Sequence, residues 1–399
     1  MSPRILGPAK HVVVLAASFL TVIAGVISFL GAEPLRIDRV ADDNAGANAK
    51  QSSVTATLFG FTVFPYDFTL EALVKTHEIV VANSTIYALH FDGGIPWKEA
   101  LDDAPFPRQF QKKWDDRARG IPEDHKVYVG LAPLATDRKS LAPATGEKER
   151  IAMPEEVQNA PLDAPQVKQA YLNYARRAVK QFKPQFLNLG IEAGGILMRD
   201  SKRWPQFERL YEHVRSALKR EFPDVQMGIS FSLSHLRTES AAKAAQRLIA
   251  QSDYVGLSFY PSASAFAEKF GLPPFGEGAD AWRKPLAWVR AYTDKPIALC
   301  ETGYTTRDSH VRQFKLDIKG DAKLQAAYVK ELFEIAGRDH YAFVIWFLPI
   351  DYDKLYAKMP PGSEVMQLWR NIGLLDGELH PKPAWEIWKA GVEKTRGNK

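Results

Sequence analysis

The chain has 399 residues, 46% hydrophobic and 25% charged, and its 52 basic and 47 acidic side chains leave a formal net charge of +5. Charges of both signs are well mixed and no RNA- or DNA-binding motif occurs, which argues against a nucleic-acid partner. The single cysteine, Cys300, excludes an internal disulfide and a Cys-based zinc site. The length fits two or three average domains, or one large α/β barrel with extensions, stabilised by its core.

At the N-terminus Arg4 and Lys10 precede an uncharged stretch from Val12 to Ala32, which Glu33, Arg36, Asp38 and Arg39 follow. At about 1.5 Å per residue this stretch is just long enough to cross a bilayer, and longer than the usual core of a signal peptide. Residues 1–32 read as a signal peptide or an uncleaved signal anchor. The large Leu30 in Leu30-Gly31-Ala32 spoils a small-x-small cleavage site and favours the anchor; a buried hairpin is the remaining alternative. Positive charge on the leading flank puts the N-terminus inside and the body outside. The expectation is an exported protein, periplasmic or extracellular, tethered to the inner membrane by residues 12–32. Residues 33–53 are small and polar and read as a flexible linker.

From residue 54 to 399 strands and helices alternate. Ala56 to Phe61 is the first expected strand, followed by a helix from Thr69 to Val80 with Thr69 as its cap. Thr85 to His90 is the second strand, a helical region begins near Trp97, and Lys126 to Leu131 is the third. The loop from Ala132 to Asp163 is too long for a plain connection and reads as an insertion that covers a site. A helix from Ala164 to Phe182 leads to a fourth strand ending at Glu192. Helices over 204–222, 238–251, 279–292 and 322–337 then separate strands over 226–231, 254–260, 295–301 and 342–347, and a last helix follows Pro383. Eight apolar strands interleaved with amphipathic helices have the period of a (β/α)8 TIM barrel. An open doubly wound sheet also alternates, but no Gly-rich phosphate turn follows the first strand.

Two segments stand out: Phe186-Leu187-Asn188-Leu189-Gly190-Ile191-Glu192-Ala193-Gly194-Gly195 and Lys295-Pro296-Ile297-Ala298-Leu299-Cys300-Glu301-Thr302-Gly303-Tyr304. Each runs as a buried strand into one glutamate, which places a carboxylate on the rim where barrel active sites form. Two carboxylates converging there are the minimum equipment for cleaving a glycosidic bond, and a separation of about 5–5.5 Å suits a retaining double displacement. His90 and Asp92 at the second strand, Tyr66 and Asp67 at the first, and Ser232, Ser234 and His235 at the fifth are placed to hydrogen-bond sugar hydroxyls. Trp97, Trp204, Trp282 and Trp288 are candidates to stack on sugar rings, and Asp351 and Asp353 to shape the same rim. No His-x-His pair and no Gly-x-Ser-x-Gly elbow occurs, so neither a metal nor an organic cofactor is expected. Strand alternation points Cys300 away from the site, as a packing residue.

These segments resemble the clan-A glycoside hydrolases, retaining (β/α)8 enzymes, and in style the endo-β-galactanases and related endo-glycanases. The resemblance spans Val54 to Val392. It implies that Glu192 is the acid/base and Glu301 the nucleophile, that Tyr260 in Gly256-Leu257-Ser258-Phe259-Tyr260-Pro261 hydrogen-bonds the nucleophile, and that Trp346 floors the subsite of cleavage. Gly373-Leu374-Leu375-Asp376-Gly377 and Lys382-Pro383-Ala384-Trp385 are similar to the usual C-terminal closure. The clan carries Asn directly before its acid/base to contact the sugar 2-hydroxyl, and here that position is Ile191. Asn188, four residues before Glu192, is a further candidate for the sugar. The expected partner is a β-linked polysaccharide or oligosaccharide, and the protein is expected to be a monomer. The alternatives are a non-catalytic polysaccharide-binding or assembly protein on the same barrel, and a transglycosylase.

Overall fold

The computed structural model describes residues 56–397 apart from 149, 361 and 362. The segments read as signal or anchor (1–32) and linker (33–53) lie outside the described residues. Among the described residues no helix is long and apolar enough to cross a membrane.

Among the described residues there are ten strands: β1 Leu58–Phe61, β2 Ile86–Phe91, β3 Lys126–Leu131, β4 Phe186–Asn188, β5 Gln226–Ser232, β6 Tyr254–Phe259, β7 Ile297–Thr302, β8 Ser309–Val311, β9 Leu316–Ile318 and β10 Phe343–Trp346. Eight form one parallel sheet in the order β1-β10-β7-β6-β5-β4-β3-β2, while β8 and β9 make a small antiparallel hairpin. The sheet nearly closes on itself, because the Thr85 N–H donates to Phe59 O at 2.7 Å and Thr62 bridges Ala88 in parallel. The eight expected strands are thus present as a TIM-type barrel, each pair of consecutive barrel strands linked by a helical crossover.

Alternation along the strands separates two cores. Ile86, Ala88, Tyr128, Tyr254, Ala298, Cys300, Phe343 and Ile345 fill the barrel interior as stacked layers. The larger core lies between the sheet and the surrounding helices. In the helix Pro165–Phe182 the residues Val167, Ala170, Tyr171, Tyr174, Ala178 and Val179 are buried at helical spacing, and proline starts it where no N–H is needed. Thr69 caps the helix Leu70–Ala82 as expected, its hydroxyl accepting the Ala72 N–H at 3.1 Å.

Two departures from simple strand alternation shape the mouth. The fourth strand stops at Asn188 instead of running to Glu192. The Asn188 carboxamide accepts the Gly190 N–H at 2.9 Å, and this local bond competes with the ladder and turns the chain. In β7 the pairing with β6 shifts, Leu257 facing Leu299 but Ser258 facing Glu301. This bulge leaves Cys300 as the extra residue. Cys300 is buried as expected, but it points into the barrel interior beneath the mouth, and the bulge lets Glu301 follow it inward.

Candidate active site

At the carboxyl ends of the barrel strands lies a cleft of about 450 Å3. Glu192, Glu301, Asp92, Tyr260 and His235 all line it. Glu192 sits on the turn after β4 with φ of 47°, a left-handed conformation costly for a side chain with a Cβ. The surroundings hold it there. The Glu192 N–H donates to Ser230 Oγ at 2.9 Å, and Ser230 Oγ also accepts from Asn188 Nδ2 at 2.9 Å. The two glycines after Glu192 allow the tight fit that follows. A Cβ on Gly194 would lie 2.6 Å from the Phe231 ring, and one on Gly195 2.5 Å from Arg138 Cγ.

Arg138 belongs to the long loop after β3, whose residues Thr136 and Arg138 reach the cleft. Only 8% exposed, it places Nη2 3.2 Å from Glu192 Oε2. On the other side the Tyr260 hydroxyl donates to Glu301 Oε2 at 3.1 Å, and His90 Nδ1 stands 3.6 Å from Glu301 Oε1. Burial pushes the His90 imidazole down to about 4, so at neutral pH this contact joins a neutral ring to a carboxyl group. Burial is the main force on Glu301 too: with the neighbouring charge of Glu192 it pushes the carboxyl well up, against the hydrogen bond from Tyr260 and the charge of Arg138. Burial likewise raises Asp92, opposed by Arg138 and Arg117. Burial and the two glutamates hold Tyr260 well above its ordinary range, so it stays a hydroxyl donor. The cleft therefore holds two carboxyl groups, Glu301 under the Tyr260 hydroxyl and Glu192 beside Arg138, so that one can act on an electrophile while the other gives and takes a proton. No group of three or more His, Cys, Asp or Glu able to hold a metal occurs among the described residues.

Several expected sugar contacts lie elsewhere. Trp346 is fully buried among Tyr328 and Trp388 and donates its Nε1–H to Ile372 O at 2.8 Å. Ile345 faces the barrel interior, so Trp346 faces the helices and Phe347 is the neighbour that lines the cleft. Asn188 is fully buried too, its amide donating to Tyr128 OH and Ser230 Oγ. It braces the turn that carries Glu192. Asn188→Ala leaves Tyr128, Ser230 and the Gly190 N–H short of a partner, and unfolding by denaturant should show a loss of about 1–3 kcal/mol.

Trp97, Trp204 and Trp282 are core residues, the first tying the long loop by donating to Ala142 O at 2.7 Å. Trp288 stacks on Tyr292. Asp351 is bound by Lys382 at 2.7 Å and by Asn371, away from the cleft. Sequence reasoning did not single out Arg138, Arg199, Phe347 or Trp369, all of which line the cleft. Arg138 had one pointer, its place in an oversized loop; Trp369 had none.

No family model and no curated protein matches this chain. Solved structures do match it in shape. The catalytic domain of a GH53 enzyme from Ignisphaera aggregans superposes with a TM-score of 0.52 at 17% identity, over 81% of this chain and 88% of that one. A GH5 enzyme from Streptomyces cattleya, solved with Manβ1-4GlcNAc, gives 0.57 at 14% identity, over 86% and 82%. The β-glucuronidase of Ruminococcus gnavus gives 0.51 at 12% identity, over 85% of this chain and half of that one. The chain has the fold of the clan-A (β/α)8 glycoside hydrolases.

Proposed function

We propose that this protein is a retaining glycoside hydrolase acting on a β-linked polysaccharide or oligosaccharide. The observation that carries the reading is the pair Glu192 and Glu301 opening on one cleft at the carboxyl rim of the barrel, with the Tyr260 hydroxyl on Glu301. Glu301, held in place by Tyr260, attacks the anomeric carbon, and Glu192 protonates the departing oxygen and then deprotonates the incoming water. The structural relatives named above are glycoside hydrolases, which supports the kind of chemistry without naming the sugar. Export and an anchor in residues 12–32 belong to the same proposal, and membrane fractionation of the expressed chain tests them. For the reaction, proton NMR of the first product formed from a β-linked glycan panel should show the β-anomer ahead of mutarotation. An α-anomer appearing first, or no cleavage of any glycan, overturns the reading.

Ile191 favours a second reading. It is 5% exposed and lines the cleft where a sugar-binding amide was expected, so a protein that holds a glycan without cleaving it also fits. Saturable glycan binding with no turnover would establish that reading.

Arg138 supplies a pH test. Its charge pulls the Glu301 carboxyl down, so Arg138→Gln lets Glu301 rise further. Activity that needs ionised Glu301 is then lost at higher pH than in the parent, and the acid limb of the kcat/KM profile moves to higher pH. An unmoved acid limb would remove Arg138 from this role.

A further inference from the structure

The cleft has two chemically different halves. Over β2 to β5 its lining is mainly polar, with Asp92, Arg138, Glu192, Ser232, Ser234 and His235 beside the apolar Ile191 and Met198. Over β6, β7 and β10 three excursions beyond the barrel build a wall of another kind. The segment 261–275 contributes Phe270 and Leu272, the β8–β9 hairpin contributes Ile318, and the segment 364–369 contributes Val365, Met366 and Leu368. Behind them Val311, Phe314 and Leu316 form a separate small hydrophobic cluster with Ile318 and Val365. The wall thus has its own core and is a built part of the protein.

The wall mixes these aliphatic side chains with the rings of Phe266, Phe270, Phe275 and Trp369. A sugar face can rest on an aromatic ring, but leucine, valine, isoleucine and methionine give its hydroxyls no partner, and a hydroxyl that loses water there weakens binding. Whatever fills this half also shares one cavity with Glu192 and Glu301. A separate partner or a segment of chain lodged there would block the carboxylates. The occupant is therefore attached to the sugar that the carboxylates face.

We infer that the cleft binds an amphiphilic glycoside, with its sugar at Glu192 and Glu301 and a hydrocarbon group, alkyl, acyl or aryl, against the wall of Leu272, Ile318, Val365, Met366 and Leu368. This rests on the glycosidase reading for the position of the sugar, and it adds the chemical class of what the sugar carries. Burying apolar area in a preformed pocket then supplies much of the affinity, about fourfold for each methylene that enters.

The test is calorimetric binding to the full chain carrying Glu301→Gln, so that no turnover is required. The probes are methyl and octyl β-D-glucopyranoside, the corresponding galactopyranosides, 6-O-octanoyl glucose and cellotetraose, each below any micelle concentration. We expect an octyl glycoside or the octanoyl ester to bind at least about a hundredfold more tightly than the methyl glycoside. Which of the two gains shows whether the hydrocarbon is an aglycone or a substituent. The double variant Leu272→Ser/Leu368→Ser should lose about tenfold of that gain while its affinity for the methyl glycoside stays put. Equal affinities for octyl and methyl probes overturn the inference, as does an octyl preference that is undiminished in the double variant. Cellotetraose binding more tightly than any octyl compound also overturns it, because the wall is then a platform for sugar rings. Octyl preference without cleavage of any glycan by the unmutated protein sinks the hydrolase reading alone. Cleavage without octyl preference sinks this inference alone.

Discussion

Glu301→Gln is expected to lower kcat on any cleaved glycan by on the order of 10^4-fold, because the amide cannot attack the anomeric carbon. The substitution keeps an oxygen where Tyr260 donates its 3.1 Å hydrogen bond, so substrate affinity should change little. The same variant should be more stable than the parent. Glu301 is a carboxyl that burial and Glu192 push well above its ordinary value of 4.5. In the folded protein it binds its proton more tightly than in the unfolded chain. The contribution of Glu301 to stability is therefore fully present below the ordinary glutamate range and is lost as pH rises from there through the raised value. Glutamine carries no such penalty, so the gap in Tm between Glu301→Gln and parent should open with rising pH. Parental turnover in the variant would refute the nucleophile assignment, and a pH-independent gap would refute the electrostatic account of its burial.

Much of the barrel was legible because its information is local and periodic. Buried strands such as Ile297-Ala298-Leu299 and helices such as 165–182 announce themselves by apolar spacing, and Thr69 marks a helix start by the chemistry of its hydroxyl. The two glutamates could be found because each closes such a strand. What simple alternation misjudged lies where the period breaks. The bulge at Cys300 is produced by pairing with β6, a contact between distant parts of the chain, so the inward turn of both Cys300 and Glu301 has no local mark. One residue of parity separates Trp346, facing the helices, from Phe347, facing the cleft, and the larger aromatic drew the attention. Arg138 and the apolar wall ride on loops, whose paths are set by packing such as Trp97 on Ala142 O rather than by any repeat.

Glu192 separates chemistry from structure more sharply than Glu301 does, because it has two tasks. As general acid it matters in proportion to the basicity of the leaving group. Glu192→Ala should lower kcat/KM about 10^2–10^4-fold on a natural glycan, yet far less on an aryl glycoside whose phenolate departs without help. Added azide should restore turnover of the covalent intermediate in Glu192→Ala and yield a β-glycosyl azide, since a small anion needs no general base. Its second task is to accept from Arg138, whose Nη2 is 3.2 Å away and whose Nε and Nη1 are buried without a hydrogen-bond partner. Alanine leaves that guanidinium with nothing on Nη2, whereas glutamine still offers an oxygen. Glu192→Gln and Glu192→Ala should thus lose catalysis alike but differ in stability, alanine being the weaker by about 1–3 kcal/mol. If Arg138 is the reason, adding Arg138→Gln to each variant closes that difference, because neither then holds a buried charge without an acceptor. A gap that persists in the double variants would place the cost in the lost packing of the longer side chain at residue 192, and Arg138 would then act on the carboxyl pair only through its field.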